Sequence, residues 1–419
     1  MSFQQGLSGL NATSKNLEII GNNIANANTY GSKVSRAEFA DVYAASLNGA
    51  GTNNVGIGTR LAAVSQQFTQ GGITTTDNPM DLAINGAGFF QVTDGKSPTT
   101  FSRNGQFKVD RDGYIVNNGA QRLMGYAADA QGVIQPGQAV ALQLPTGGVA
   151  PATTTSIKVE MNLDSRQAPT VPASGSIDFN DATTYNNATS LTTYDLQGQS
   201  VALTYFFQKS STDTWNVYAT ANGTPVLDSG GNLAPVTTIT FATDGSAPTS
   251  PAGPVAFDIP ATTNATGGTT LPITGVQFDL ARATQFGSAF GVTDMRQDGY
   301  AAGLLTGISI ESNGIINARY SNGQSRPAGQ IEIATFRNPQ GLQPIGDNAW
   351  ARTYGSGDPV TGVPGDGSLG VLQSGALEES NIDLTGELVN MITAQRIYQA
   401  NAQTIKTQDQ VLQTLVNLR

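Results

Sequence analysis

Long amphipathic helices are predicted at both ends of this 419-residue chain. In each segment apolar residues recur in steps of three and four, which places them on one face of an α-helix. The large apolar members of the two stripes are Phe3, Leu7, Leu10, Leu17 and Ile24 near the N-terminus, and Leu384, Leu388, Met391, Tyr398, Ile405, Leu412 and Val416 near the C-terminus. Neither stripe has a core of its own nearby in sequence. Each must therefore be covered by the other stripe, by the body of the protein or by a neighbouring molecule.

Amides rather than charges cover the other faces of both helices. The residues concerned are Gln4, Gln5, Asn11, Asn16, Asn22, Asn23 and Asn26 in the first helix, and Gln399, Asn401, Gln403, Gln408, Gln410 and Gln413 in the second. A solvated helix face ordinarily carries several i,i+4 ion pairs. We therefore predict that the apolar stripes of the two helices face each other and form a polymerisation seam, while the amide faces meet neighbouring copies.

The overall composition narrows the function classes. Charged residues make up 12% of the chain, about half of the ~25% usual in soluble domains. The net charge of −10 argues against nucleic-acid binding. The chain has no cysteine and no histidine, so disulfides, thiol chemistry and the commonest general base are excluded. We expect no cleaved secretory signal and no membrane span, because neither pattern is visible.

Between the helices the apolar pattern changes to a period of two, with turn residues such as Asp112-Gly113 and Asn313-Gly314 between short runs. A segment rich in Thr, Pro and Ala interrupts this pattern and carries short predicted strands of its own. The predicted fold class is mainly β with long terminal α-helices, a coiled-coil-like terminal domain plus two nested β-barrel or β-sandwich-like domains. The predicted divisions are 1–27 and 381–419 for the paired helices, 28–70 and 371–380 for a connector, 71–145 and 286–370 for a middle β-domain, and 146–285 for an inserted outer β-domain.

Two capping-box spacings occur, Ser35 with Glu38 and Ser380 with Asp383. The first predicts a short helix in the connector with an apolar face of Val34, Phe39, Val42 and Tyr43. The second predicts the beginning of the C-terminal helix. The Gly- and Asn-rich residues 48–58 predict a link that lets the β-domains move relative to the helices.

Two acidic motifs are candidates for chemistry. Asp110 and Asp112 with Gly113 resemble the opening of a calcium loop, but the required downstream Glu is missing, and a hairpin turn explains them better. Glu378 and Glu379 are adjacent, so they point in different directions, and they precede a helix start where acids are favourable. No catalytic, cofactor-binding or metal site is predicted, and no cofactor is expected.

Three motifs together resemble one family. Residues 22–31, with the sequence NNIANANTYG, and residues 35–39 are similar to the N-terminal signature of bacterial flagellar rod, hook and hook-associated axial proteins. Residues 374–404 resemble the C-terminal signature of the same family, and residues 81–90 and 102–105 resemble its middle β-domain. The signature residues are Asn22, Asn23, Ile24, Ala25, Asn26, Asn28, Thr29, Gly31, Arg36, Gly375, Asn381, Arg396 and Asn401.

The resemblance implies a secreted structural subunit that polymerises into a flexible, torque-transmitting tube of the flagellum and is not an enzyme. It implies export by the flagellar type III apparatus without a cleaved signal. By the same resemblance the partners would be the distal rod protein, a hook cap, the first hook–filament junction protein and further copies of this chain. Nucleic acid and membrane insertion are not expected.

Two alternatives remain at this point. The first is another axial protein of the same family, a rod or junction subunit, although residues 146–285 and the stretches 297–300, 319–324 and 338–342 favour the hook branch. The second is a glycan-binding surface adhesin. Its binding face would use aromatic residues of the insert, namely Tyr185, Tyr194, Tyr205, Trp215 and Tyr218.

Overall fold

The computed structural model describes residues 2–42, 56–129, 131–172, 175–228, 230–264 and 267–417, with helical side chains from residue 3 to residue 414. A single α-helix lies at each end, α1 at Ser2–Ala25 and α2 at Leu384–Asn417. At ~1.5 Å per residue these helices are about 36 and about 51 Å long. Between them the regular structure of the described residues is β, apart from a 3₁₀ turn at Pro339–Gly341. The prediction of a mainly β chain with long terminal helices is confirmed.

The strands are numbered in chain order. They are β1 Ser35–Val42, β2 Gly58–Gln66, β3 Ile73–Thr75, β4 Leu82–Asn85, β5 Phe89–Thr93, β6 Thr100–Ser102, β7 Lys108–Val109, β8 Ile115–Val116, β9 Arg122–Ala127, β10 Val140–Ala141, β11 Ser156–Asn162, β12 Asn187–Tyr194, β13 Ser200–Ser211, β14 Thr214–Ala221, β15 Thr224–Pro225, β16 Thr237–Phe241, β17 Pro248–Ser250, β18 Val255–Ile259, β19 Ile273–Asp279, β20 Gly291–Gln297, β21 Leu305–Ile310, β22 Ile315–Tyr320, β23 Ser325–Ile331, β24 Ile333–Thr335, β25 Gln343–Gly346, β26 Ala349–Ala351, β27 Val360–Gly362, β28 Val371–Ser374 and β29 Ala376–Glu378.

The chain divides into two compact units. Unit 1 takes in residues 1–146, 306–319 and 325–419, and therefore contains both terminal helices and the flanking strands. Unit 2 takes in residues 147–305 and 320–324, and nearly all of the predicted insert falls within that range. The finer division into four segments stays a prediction.

Unit 1 is built around a large sheet with the path β21-β22-β23-β9-β5-β6-β26-β25. Successive side chains of a strand point in opposite directions, and in β5 the side chains on both faces are buried. Phe90 packs into one core with Leu82, Ile115 and Ile331, whereas Phe89 packs into a second core beside Trp350. Two short antiparallel pairs, β28 with β4 and β29 with β3, attach the segment before α2 to this β-body.

Unit 2 is a β-sandwich. A four-stranded sheet, β18-β19-β11-β20, and a six-stranded sheet, β12-β13-β14-β16-β17 with β15 beside β14, contribute to one core. Ile157 on β11 and Phe278 on β19 are completely buried, as are Tyr205 on β13 and Trp215 on β14. The rings of Tyr205 and Phe278 stack with centroids 4.4 Å apart. The six predicted strands of the insert are present, whereas β12 lacked a clear apolar alternation and was not predicted.

The predicted hairpin turn at Asp110 is confirmed. Strands β7 and β8 pair on either side of it, and Gly113 supplies the positive φ of 85°. One carboxylate oxygen of Asp110 accepts hydrogen bonds from the backbone N–H groups of Asp112 and Tyr114 at 2.9 and 2.8 Å. The carboxylate therefore closes the turn itself. Among the residues that the structure describes, no group of three or more acidic side chains is arranged to hold a metal ion.

The predicted short helix in the connector is wrong. Residues 35–42 form strand β1, which pairs antiparallel with β2 through a register shift between Glu38 and Phe39. All four residues of the proposed helical face are β-branched or aromatic and fit a strand equally well, and pairing with β2 decides between the two. Tyr43 and residues 48–55 of the predicted flexible link lie outside the described residues.

The predicted cap of α2 is also wrong in detail. Asp383, rather than Ser380, caps the helix, and its Oδ1 accepts the backbone N–H of Thr385 at 3.0 Å. The Asp383 carbonyl accepts the first helical hydrogen bond from Glu387 N–H at 2.9 Å. Ser380 Oγ instead accepts a hydrogen bond from the N–H of Ile382, in the segment before the helix. Asp is as good an N-cap as Ser, so spacing alone could not separate the two candidates.

Candidate assembly site: the helix pair and its junction

The two terminal helices pack against each other in antiparallel order. A Cβ atom built on Gly6 would lie 3.1 Å from Cγ1 of Ile405, and one built on Gly9 would lie 2.9 Å from Nδ2 of Asn401. At the other end of α1, Asn23 Nδ2 lies 3.4 Å from Glu387 Oε2. The two glycines allow the helix backbones to approach closely at the N-terminal end of α1.

This contact seam differs from the predicted one. On α1 the buried positions are Gly6, Thr13, Ile20 and Asn23, and on α2 the buried position is Ala394. The seam therefore combines small and polar positions with the apolar Ile20, and on α1 it lies one residue before the apolar stripe. One residue is a rotation of about 100°. The spacing of apolar residues identified a stripe but not the sector that the partner helix covers.

The predicted seam residues are accordingly exposed or half-buried. Phe3, Leu7, Leu384, Leu388, Tyr398 and Leu412 expose 46, 44, 45, 41, 37 and 54% of their surface. The half-buried members are Leu10, Leu17, Ile24, Met391 and Ile405. Ile405 packs against α1 at Gly6. The side chain of Val416 lies outside the described residues. The prediction that the two stripes face each other is wrong.

Both stripes lie on the same side of the helix pair. Each stripe follows its contact positions by one residue in chain direction, as Leu7 follows Gly6 and Leu388 follows Glu387. In an antiparallel pair with approximate twofold symmetry, equal rotations bring both stripes to one side. We call the surface formed by Phe3, Leu7, Leu10, Leu17 and Ile24 of α1 and by Leu384, Leu388, Met391, Tyr398 and Leu412 of α2 the joint apolar face.

The opposite side of the pair is covered by the β1–β2 hairpin. Gln5 Nε2 donates to the Gly56 carbonyl at 2.6 Å, and Ser8 Oγ accepts the Thr59 N–H at 3.3 Å. Farther along α1, the side-chain amide of Asn23 exchanges two hydrogen bonds with the backbone of Ser35, at 2.8 and 2.9 Å. The hairpin therefore runs along α1. The described residues of the hairpin do not cover the joint apolar face.

Several signature residues meet where the helices join the β-body. Asn381 Oδ1 accepts the Val34 N–H at 2.8 Å, while its Nδ2 donates to the carbonyls of Gln67 and Thr69 at 2.8 and 3.1 Å. Gly31 donates its N–H to the Glu378 carbonyl at 2.8 Å. Gly31 has a φ of +71°, and a Cβ there would lie 2.6 Å from the Asn104 nitrogen. Only glycine suits this position.

A buried ionic cluster lies beside these contacts, and we call it the junction triad. Lys33 Nζ lies 2.6 Å from Glu378 Oε1, and Arg103 Nη1 lies 2.9 Å from Glu378 Oε2. The side chains of Lys33 and Glu378 are completely buried, and that of Arg103 is 5% exposed. Burial lowers the pKa of Lys33 and of Arg103, while the carboxylate of Glu378 acts against that shift.

Backbone groups form further hydrogen bonds with the triad. Lys33 donates to the Thr69 carbonyl at 2.8 Å, and Arg103 donates to the carbonyl of Gly86 at 2.7 Å. The Gly71 N–H donates to Glu378 Oε1 at 3.0 Å. The Arg103 Nε–H is buried without a hydrogen-bond partner among the described residues, and its Cζ lies 5.5 Å from the Phe89 ring centroid.

Sequence reasoning did not assign these three residues to a site. Glu378 was interpreted as an acid that is favourable just before a helix start, whereas the structure buries it in an ion pair. A usable signal did exist, because buried Lys and Glu are rare unless paired and the chain carries few charges. However, Lys33 and Arg103, which pair with Glu378, are far from it in sequence.

The other signature residues have mixed environments. Asn26 Nδ2 donates to the Asn22 carbonyl at 2.9 Å just past the end of α1, and Gly375 adopts a φ of 68° between β28 and β29. Arg36 forms an exposed ion pair with Glu38. Thr29 is half-buried, whereas Ala25, Asn28 and Arg396 are exposed. The structure thus brings Asn23, Gly31 and Asn381 to the junction, Asn401 to the helix seam, and leaves several others at the surface.

The aromatic residues proposed for glycan binding do not form an exposed platform. Tyr205 and Trp215 are completely buried in the sandwich core, and Tyr218 is 6% exposed. Tyr185 packs edge-on against Phe206 at 4.9 Å between ring centroids. Tyr194 is half-buried. Strand packing explains this set, and the adhesin interpretation loses its support.

Four family models match the chain. They are described as the flagella basal body rod protein, at residues 3–33, the flagellar hook protein FlgE/F/G D1 domain, at 83–164, the flagellar basal body protein FlaE D2 domain, at 162–300, and the flagellar basal body rod FlgEFG protein C-terminal, at 373–418. Together these models define the class of flagellar rod and hook subunits.

Relatives that match over the full length narrow the class. The flagellar hook protein FlgE of Salmonella typhimurium is 40% identical and that of Escherichia coli K12 is 41% identical, each over 100% of both chains. The same protein of Borreliella burgdorferi is 33% identical over 100% of this chain and 99% of its own. The chain therefore belongs to the flagellar hook protein family.

A solved structure agrees with the fold. The crystal structure of Helicobacter pylori flagellar hook protein FlgE2 matches with a TM-score of 0.53 at 15% identity, covering 73% of this chain and all of that chain. In the part of the chain that the structure describes, neither helix is long and apolar enough to cross a membrane.

Proposed function

We propose that copies of this hook subunit polymerise through the joint apolar face into a tube that bends while it passes torque from rod to filament. The observation that carries the proposal is the exposure of two apolar stripes on one side of a helix pair whose other side is already covered. Apolar side chains such as Leu7 and Leu388, with 44 and 41% of their surface exposed, gain stability when a second copy covers them. A contact of this kind that does not close on itself produces a helical polymer.

The role we propose is structural, without catalysis. The proposed partners are further copies of the chain, the distal rod protein at one end, and the hook cap and first hook–filament junction protein at the other. We also propose that the flagellar type III apparatus exports the subunit without a cleaved signal, so that it works outside the cell. Membership of the family is the observation that supports these proposed partners and this route.

Bending requires neighbouring subunits to shift against each other. Only 12% of the residues are charged. In several surface ion pairs the two partners are close in sequence, as Arg36 and Glu38 are. A surface covered by Ser, Thr, Asn and Gln can slide at little cost, which corresponds to a shear motion.

Substitutions on the joint apolar face test the assembly proposal. Leu7→Gln and Leu388→Gln replace exposed leucines by a residue of similar helix propensity, so the subunit should fold normally. We expect electron microscopy of concentrated protein to show tubes for the parent chain and few or none for the variants. Leu196→Gln is the matched control, because Leu196 is 70% exposed but lies in unit 2. Unimpaired tubes from both stripe variants would contradict the proposal.

The form of the polymer tests the assignment within the family. Curved, supercoiled tubes support the hook role, whereas straight tubes would favour a rod subunit. Removal of residues 384–419 should leave a folded β-body that no longer polymerises. Polymers formed by that truncated chain would contradict a role for α2 in assembly.

A further inference from the structure

The junction triad connects three separate parts of unit 1. Lys33 lies in the segment between α1 and β1, Arg103 directly follows β6 in the β-body, and Glu378 is the last residue of β29, shortly before α2 begins. Both chain segments that enter and leave the helix pair are therefore tied to the β-body through one carboxylate. This arrangement places the triad at the base of the helical part of the subunit.

The triad is buried, and its hydrogen bonds also restrain the directions of its side chains. The two oxygens of Glu378 have different cationic partners, Lys33 at 2.6 Å and Arg103 at 2.9 Å. Backbone groups of residues 69, 71 and 86 complete the hydrogen bonds at 2.8, 3.0 and 2.7 Å. A shift of any one segment would break a charge-assisted hydrogen bond in a dry site, where water cannot replace it.

The helix seam provides less directional restraint than the triad. Small residues line parts of it, with Gly6 and Gly9 near the N-terminal end of α1 and Ala394 on α2, beside the larger side chains of Ile20 and Ile405. By contrast, the backbones at the junction are in close contact. A Cβ on Gly71 would lie 2.0 Å from the Glu379 carbonyl oxygen, and this leaves no room for an altered path.

We propose that Lys33, Arg103 and Glu378 are positioning residues that fix the orientation of the helix pair on the β-body and so set the curvature and stiffness of the polymer. The part of this inference that concerns the polymer rests on the proposed function. The part that concerns orientation applies to the single subunit. A buried ionic cluster can often be replaced by apolar residues without loss of stability, so orientation and stability can be separated experimentally.

The first experiment measures orientation in the full-length subunit. Because the chain has no cysteine, spin labels can be attached to Lys15→Cys on α1 and Tyr354→Cys on the β-body, both exposed. Double electron–electron resonance should give one narrow distance distribution for the parent chain. Glu378→Asp keeps the charge but is one methylene too short to contact both cations, and we expect it to broaden the distribution at least twofold. The exposed ion pair of Arg352 and Asp358 supplies the control Asp358→Asn, which should leave the distribution unchanged.

The second experiment separates positioning from stability. The triple variant Lys33→Met, Arg103→Met, Glu378→Leu should keep its thermal unfolding transition but show the same broadening. Electron microscopy of its polymers should show a persistence length at least twofold shorter and a wider spread of curvature. Unchanged distance distributions in both variants would overturn the proposal. So would unfolding of Glu378→Asp and the triple variant alike, because that would assign the triad to stability alone. If the parent chain forms no polymer, the proposed function fails while the distance measurement still decides the orientation.

Discussion

Asn401 lies directly over Gly9, so that a Cβ atom on this glycine would come within 2.9 Å of the Asn401 side-chain nitrogen. At this contact the terminal helices meet through a small residue and a polar side chain. The apolar stripes that first suggested helix pairing are turned to one side of the pair. Under the proposed function, the seam holds one subunit together and the joint apolar face meets the next subunit.

Gly9→Leu should push the helices apart. We expect a loss of about 1–3 kcal/mol in the free energy of unfolding, typical of overpacking, measured by circular dichroism during thermal unfolding. Gly21 is the matched control on the same helix, because nothing lies within 4 Å of a Cβ built there. Gly21→Ala should stabilise the helix by about 0.5–1 kcal/mol. Equal effects of the two substitutions would contradict the close approach at Gly9.

Glu378→Gln should be among the most damaging single substitutions in unit 1. It leaves the buried cations Lys33 and Arg103 without their carboxylate, and breaking a buried ion pair in this way costs about 3–5 kcal/mol. Chemical denaturation would measure the loss. Asp358→Asn removes an exposed pair and should change stability by less than about 1 kcal/mol. A small effect of Glu378→Gln would show that water reaches the triad.

Tyr126 should make stability depend on pH in the alkaline range. Its hydroxyl donates to Glu332 Oε1 at 2.8 Å, and burial together with this hydrogen bond and the Glu332 charge raises the pKa of Tyr126 to about 12 from 10.0. Between these pH values the folded state keeps a proton that the unfolded state releases. The free energy of unfolding should therefore fall as pH rises through this window.

Tyr126→Phe should remove that component of the pH dependence. The difference in phenolate absorbance between the parent chain and this variant should titrate near pH 12. A transition near the ordinary tyrosine value of about 10 would show that the hydroxyl is solvated. Tyr114→Phe provides a control at a tyrosine whose ring lies beneath the Arg122 guanidinium, at 3.9 Å.

Phe278→Ala should destabilise unit 2 by about 3–5 kcal/mol, since it empties a fully packed core position. The chain has two tryptophans, Trp215 in the sandwich core and Trp350 in unit 1. Fluorescence of a Trp350→Phe background therefore follows unit 2, and that of a Trp215→Phe background follows unit 1. We expect Phe278→Ala to shift the unfolding transition that Trp215 fluorescence follows. A shift of equal size in the Trp350 signal would show that the two cores unfold together.

Much of the local structure could be predicted from the sequence. The three-and-four spacing identified α1 and α2, and the period of two with its Gly-containing turns identified most strands of the sandwich. Both are consequences of backbone geometry acting over a few residues. The connector was ambiguous because its residues suit a helix and a strand alike. Pairing with β2 and packing along α1 favoured the strand.

The sequence by itself determined that this chain has two long terminal helices, a β-rich body and few charges. Only the tertiary structure decided which face of each helix meets its partner and which remains open. It also decided that Lys33 and Glu378, 345 residues apart, share a buried ion pair. Periodicity is a property of neighbouring residues, whereas burial and charge pairing depend on which distant segments come together. For that reason the apolar stripes were visible in the sequence, whereas their exposure and the buried junction triad were not.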